Sequence, residues 1–291
     1  MSDFLQLFLS GLATGSIYAV AALGFTLLWQ ASGTINFAQG EFVMLPAFIM
    51  LGFMSFGAPL ALSFVLTCVV TVFLLGWCFK RGIVDPLLKF GMMPIIVATI
   101  GLAIAMRSGI RAGVSAEAQP FPSVFADKLF NIGGVTVTLA DVGTLAVALV
   151  LVLATQAFLS RTVTGRAMQA VAQNTDSATV LGIDVPRMVF YTFALNALLA
   201  CAAALLVTPA YLAKFDMGES LGLKAFFAAI IGGFTNSRGA LLGGLIVGVS
   251  ENLAAAYISP AYKDAVALFI FMLVILFKPE GLLGKKVERK V

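Results

Sequence analysis

Long uncharged stretches, separated by short polar breaks, organise the chain. Phe4 to Gly40, Phe42 to Phe79, Val142 to Ser160 and Met188 to Ala213 contain no Asp, Glu, Lys or Arg. A helix needs about 20 apolar residues to cross the hydrocarbon core of a bilayer, so each run holds one or two crossings. The pattern predicts spans near 4–29, 42–56, 60–79, 92–110, 140–159, 188–213, an interrupted segment 224–257, and 265–278. The amphipathic helices that a soluble protein of this length would use as cover are few. The predicted fold is therefore an all-α integral membrane protein with about eight transmembrane helices, forming one transmembrane domain over 1–291.

The charges set an orientation. The linker 80–91 carries Lys80, Arg81 and Lys89; the loop 160–187 carries Arg161, Arg166 and Arg187; the tail carries Lys278, Lys285, Lys286, Arg289 and Lys290. Cytoplasmic segments are enriched in Lys and Arg, so these three regions are placed inside and 111–138 outside. Arg107, Arg111, Lys128, Lys214, Lys224 and Lys263 then fall on the outer side. That arrangement forces 224–257 to cross twice or to dip and return. Its sequence agrees, because Thr235-Asn236-Ser237-Arg238-Gly239 splits two apolar halves. A second break, Ser32-Gly33-Thr34-Ile35-Asn36, precedes the second span. Irregular backbone at membrane depth survives only where it lines a cavity or is buried in protein. The broken or re-entrant segments near 32–41 and 232–239 thus point to the solute path.

Composition narrows the chemistry. Only 11% of the residues are charged, 60% are hydrophobic and the mean hydropathy is +1.03, against about 25% charged residues in an ordinary soluble domain. There is no histidine, which removes imidazole bases and the commonest metal ligand; no metal site and no catalytic residue is expected. Cys68, Cys78 and Cys201 lie in apolar runs without ligand spacing and read as small buried hydrophobes. The net charge of +4 sits in loops and tail, and so speaks of membrane topology and not of nucleic acid. The N-terminus has no basic region or small-residue cleavage site and reads as a retained helix.

Polar residues inside apolar segments are functional candidates because they are costly in lipid. Asn36, Gln39 and Glu41, with Gly232, Gly233 and Asn236, are assigned to the substrate path. Glu41 is either an interfacial first-turn acid or a partner inside the bundle; Glu251 is a candidate partner for Arg238. Asp141 reads as an N-terminal helix residue at the outer interface. Gly11 and Gly15, Gly239 and Gly243, and Gly244 and Gly248 recur at the spacing that lets helix backbones approach closely.

The loop 160–187 is too polar to span. Arg166 to Leu181 is helix-compatible, Gly182 supplies a stop and Pro186 follows. Its polar residues are mostly uncharged, whereas a helix lying on lipid favours Lys and Arg. It is expected to dock another protein through Arg166, Ala167, Ala170, Ala178, Leu181 and Gly182. No Gly-x-x-x-x-Gly-Lys-Ser/Thr stretch is present, so any ATPase is a separate chain.

With these features in place, the chain resembles the permeases of branched-chain amino-acid ABC importers, specifically the smaller permease of the leucine/isoleucine/valine type. The resemblance covers nearly the whole length. It is carried by Gly15-Ser16-Ile17-Tyr18-Ala19, Ile35-Asn36-Phe37-Ala38-Gln39-Gly40-Glu41, Gly165-Arg166-Ala167-Met168 with Leu181-Gly182-Ile183, Lys224-Ala225-Phe226, Ile231-Gly232-Gly233, Gly243-Gly244, Glu251 and Lys278-Pro279-Glu280-Gly281-Leu282-Leu283-Gly284. Gln39 departs from it, at a position where histidine is common in the family. The resemblance implies a multi-pass protein of a bacterial inner membrane and a second homologous permease subunit, giving a heterodimer. It also implies two cytoplasmic ABC ATPase subunits that bind the ATP, and a periplasmic solute-binding protein. The loop 160–187 then corresponds to the coupling segment. The alternatives are an ion-coupled secondary transporter, which needs a buried carboxylate relay, and an ABC permease for urea or short amides.

Overall fold

In hydrocarbon every backbone N–H and C=O must pair within its own segment, and the apolar runs accordingly fold as helices. The structure, a computed structural model, describes residues 2–126, 128–132, 135–234 and 236–284. The elements are α1 (Ser2–Ser32), α2 (Gln39–Ser55), α3 (Leu60–Thr71), α4 (Asp85–Leu88), α5 (Met92–Gly113), β1 (Leu129–Ile132) and β2 (Val135–Thr138), then α6 (Leu139–Arg161), α7 (Val163–Gln173), α8 (Thr175–Val180), α9 (Val185–Tyr211), α10 (Met217–Gly232), α11 (Ser237–Tyr257) and α12 (Lys263–Phe277). Among the described residues seven helical segments are long and apolar enough to cross a membrane, and α2 is a shorter apolar helix.

Several boundaries differ from the sequence reading. The span that starts at Leu60 does not end at 79; it continues without a break to Leu88. Val72–Cys78 and Lys80–Val84 form wide π-helical turns within it, so Lys80 and Arg81 are helical and not linker residues. The segment 224–257 is two full helices, and the first begins seven residues before Lys224, at Met217. Lys224 is consequently within a helix and buried. The stretch read as plain outer loop contains an antiparallel hairpin in which Leu129 pairs with Thr138 and Ile132 with Val135. The alternation Val135-Thr136-Val137-Thr138 was its signal.

Two compact units are distinguished. One comprises 1–26, 125–153 and 224–291. Here Gly15 meets Gly244 and Leu245 backbone-to-backbone: a Cβ on Gly15 would fall 2.6 Å from the Gly244 carbonyl oxygen. The small-residue spacing thus brings α1 against α11 at a distance only glycine permits. The other unit comprises 27–124 and 154–223. In it Phe42 packs edge-on against Phe79, which also contacts Phe193. The three cysteines are free, with Cys201 buried.

The charge-based orientation predicts that, on a cysteine-free background, a cysteine at exposed Ser177 is protected from impermeant external reagents while one at exposed Ser123 is labelled. External labelling at 177 combined with protection at 123 inverts the topology.

Candidate functional site

The first break lies where α1 ends and α2 has not begun. Gly33 takes φ +64°, a left-handed conformation that glycine adopts at little cost, and 33–38 are non-helical. The freed polar groups are re-satisfied locally. Asn36 Oδ1 accepts from the Ala38 N–H at 3.0 Å, and the Phe37 N–H donates to Thr99 Oγ1 at 3.2 Å. Asn36 is buried, and its Nδ2 has no hydrogen-bond partner among the described residues. The next side chain inward, Gln39, makes a reciprocal amide pair with Asn196 on α9: Gln39 Nε2 donates to Asn196 Oδ1 at 2.8 Å, and Asn196 Nδ2 donates back to Gln39 Oε1 at 3.1 Å. Asn196 is the twelfth of the 27 residues of α9, roughly 16 Å from one end and 23 Å from the other. The break therefore sits at membrane depth.

Two residues further on, buried Glu41 accepts from Arg107 Nη2 at 2.9 Å, and Arg107 Nη1 reaches Glu219 Oε2 at 2.5 Å. Of the two readings of Glu41, the bundle-internal partner is the one observed. The start of α2 is pressed against α10 there, because a Cβ on Gly40 would fall 1.9 Å from the Gly218 carbonyl oxygen.

The second break is of a different kind. Gly233 takes φ +104°, and the helix-end carbonyls of Ile231 and Gly232 accept from the N–H groups of Leu282 and Leu283 at 2.8 and 3.1 Å. Asn236 Nδ2 donates to the Leu283 carbonyl at 3.2 Å. The segment that follows α12 thus closes over the turn between α10 and α11. Gly232, Gly233 and Asn236 lie at the helix ends nearest the tail and hold that tail.

Glu251 does not pair with Arg238. It is ion-paired to Lys224, and Lys263 Nζ lies 3.1 Å from its Oε1. Lys224 also reaches Asp264 Oδ1 at 3.0 Å and stands over the Tyr18 ring. Lys224 and Glu251 are 6% and 1% exposed, so this is an ion pair taken out of solvent. Asp141 occupies the first turn of α6, as expected, and accepts from Ser10 Oγ at 3.2 Å.

The loop helix is two helices, not one over 166–181. Asn174 ends α7, and its side chain caps α8 by accepting from the Ser177 N–H at 2.8 Å. An asparagine that competes for backbone hydrogen bonds divides the helix at that point. Gly182, at φ +77°, supplies the stop. Arg166 is exposed, Ala167 and Ala170 are half-buried, Ala178 is buried, and Leu181 is exposed beside Val180. Ala178 therefore faces the protein and is not available to a partner. Residues 285–291, with four of the tail's basic residues, lie outside the described residues.

Sequence reasoning missed Asn196, Arg107 and Lys224. Asn196 is a lone polar residue in an apolar stretch, which is itself the signal; Arg107 and Lys224 lie near other polar residues, and their placement outside hid their role in the bundle.

Comparison with known proteins gives these features a setting. The family model described as the branched-chain amino acid transport system / permease component matches residues 7–275. The high-affinity branched-chain amino acid transport permease BraD of Pseudomonas aeruginosa is 31% identical, over 99% of this chain and 98% of its own. LivH of Escherichia coli is likewise 31% identical, over 99% and 98%. The fructose import permease FruG of Bifidobacterium longum is 24% identical, over 97% of this chain and 85% of its own. No solved structure matches the chain significantly. The chain belongs to the family of branched-chain amino acid transport permeases and is the inner-membrane permease component of an ABC importer.

Proposed function

We propose that the chain forms half of the translocation path for branched-chain or closely similar amino acids. A second homologous permease would complete the path, two separate cytoplasmic ATPases would power it, and a periplasmic binding protein would supply the solute. The chain itself performs no chemistry, and ATP is bound by its partners. The carrying observation is the half-depth break: a non-helical segment with the orphaned Asn36 amide beside the Gln39–Asn196 pair. Such backbone persists in a membrane where it borders a polar path or is buried in protein. We assign Asn36, Gln39 and Glu41 to that path; Gly232, Gly233 and Asn236 we assign instead to holding the tail. Buried Glu41 and Glu251 are each paired with a cation, which argues against the carboxylate relay of an ion-coupled carrier. The substrate class is supported by the branched-chain amino acid transport permeases that are 31% identical to this chain; a fructose permease is more distant, at 24%.

The test is uptake of leucine, urea and a short amide by proteoliposomes containing the assembled transporter. Leucine uptake is expected to require ATP and binding protein. Asn36→Leu should slow it about tenfold, the factor carried by one hydrogen bond, with assembly intact. Unchanged uptake in Asn36→Leu and in Gln39→Leu removes these residues from the path. Lost assembly in both assigns them to helix packing.

A further inference from the structure

Where the extended α3-to-α4 helix (Leu60–Leu88) meets the start of α9, two cavities are joined. The larger, about 540 Å³, is lined by Lys80, Arg81, Asp85, Asp184 and Arg187, with Trp77 and Phe190 as its floor. The smaller, about 310 Å³, runs along Val69, Val72 and Phe73, and shares Trp77 and Phe190. A basic pocket therefore shares Trp77 and Phe190 with an apolar groove between the Leu60–Leu88 helix and α9. We propose that this is a binding site for an anionic phospholipid, with the phosphate in the pocket and an acyl chain in the groove.

The charges in the pocket fit a phosphate. Lys80 is held by Asp85 at 2.9 Å, and Asp184 is occupied in capping α9, where its Oδ1 accepts from the Arg187 N–H at 3.1 Å. Neither Arg81 nor Arg187 makes an ion pair among the described residues. Arg81 lies over the Trp77 ring at 5.6 Å, and Arg187 donates to Tyr191 Oη at 3.0 Å. Two guanidiniums are thus oriented by aromatic partners with no carboxylate in ion-pair contact. The lining keeps a net charge of +1 (Lys80, Arg81 and Arg187 against Asp85 and Asp184), and guanidinium matches phosphate geometry better than any other side chain. Basic pockets between membrane helices on the cytoplasmic side suit anionic headgroups, and amphipathic tryptophan suits the headgroup level. Phe73 and Trp77 stack at 5.5 Å, continuing the apolar wall below. The π-helical turns at Val72–Cys78 and Lys80–Val84 interrupt the α-helical register where the groove meets the pocket, a feature that recurs at functional sites.

Trp77 is one of only two tryptophans, so it can report its own neighbour. With Trp29→Phe as background, the full chain in bilayers containing brominated phosphatidylglycerol or brominated phosphatidylcholine is followed by fluorescence quenching. Phosphatidylglycerol should be preferred by about fivefold per guanidinium, about twenty-five-fold in all, and Arg81→Gln with Arg187→Gln should abolish the preference. Millimolar inorganic phosphate should not relieve the quenching. Equal quenching of Trp77 by both lipids overturns the site. Relief by inorganic phosphate replaces it with a site for a soluble phosphoanion, and absence of quenching by either lipid assigns the groove to a protein partner. The wild-type comparison decides the question even if the double variant does not fold.

Discussion

Lys224→Met is expected to lower the stability of the folded chain by about 3–5 kcal/mol, and adding Glu251→Leu is expected to recover most of the loss. Removing one member of a buried ion pair leaves an uncompensated charge out of water, whereas replacing both by apolar groups of similar size is often neutral. Glu251 is 1% exposed, and Lys263, its other cation, is the more exposed of the two lysines. Without Lys224 the carboxylate keeps only that weaker partner, and its second oxygen already lacks a hydrogen bond. The Glu41–Arg107 pair should respond less, because Arg107 is 26% exposed and can recruit water. Thermal unfolding of detergent-purified single and double variants measures the cycle. Equal loss in Lys224→Met and in the double variant would mean the site is held by packing alone. An intact double variant that no longer transports would instead move the pair from scaffold to mechanism.

What could be read in advance divides along physical lines. Helices were legible because lipid allows one backbone solution and the apolar runs had to match it. The glycine spacings of 11, 15, 244 and 248 were legible because close approach of two backbones demands the absence of Cβ. Partners across the bundle were not legible. Glu251 faces Lys224 and not Arg238 because the turn at 233–236 makes α10 and α11 antiparallel neighbours, which sets 224 beside 251. Sequence spacing does not reveal that register. The two breaks also looked alike as strings of Gly, Asn, Ser and Thr. Only the hydrogen bonds from Leu282 and Leu283 distinguish a helix end closed by the tail from a break at half-depth. The division of the loop helix at Asn174 was visible in principle, since Asn-x-x-Ser places an N-cap inside a helical pattern. It was masked by the alanines on either side.

That division bears on the coupling surface expected in the loop 160–187. Met168 and Val171 of α7 are buried, and Thr162 caps its start by accepting from the Gly165 N–H at 2.9 Å. Gly165 lies against the end of α6, where a Cβ would fall 2.2 Å from the Phe158 carbonyl oxygen. So α7 is fixed to the membrane helix before it, while Asp184 caps α9 immediately after the loop. A push on α8 is therefore delivered to α6 and α9 with little slack. The face that can receive it is apolar and open: Val180 and Leu181 are 87% and 77% exposed. Burying two such side chains in a partner contributes about 3–6 kcal/mol, more than a hundredfold in affinity. Val180→Glu with Leu181→Glu should remove that contribution and set unpaired charge into the contact. The ATPase should then be lost on co-purification and ATP-driven uptake should fall to background. Ala170→Glu, on half-buried α7, should weaken both to a lesser degree. Val124→Glu, exposed in the segment placed outside, should leave the ATPase bound. A Val180→Glu, Leu181→Glu variant with a full ATPase complement and normal uptake would show that α7 and α8 rest on the lipid surface and that the drive enters elsewhere.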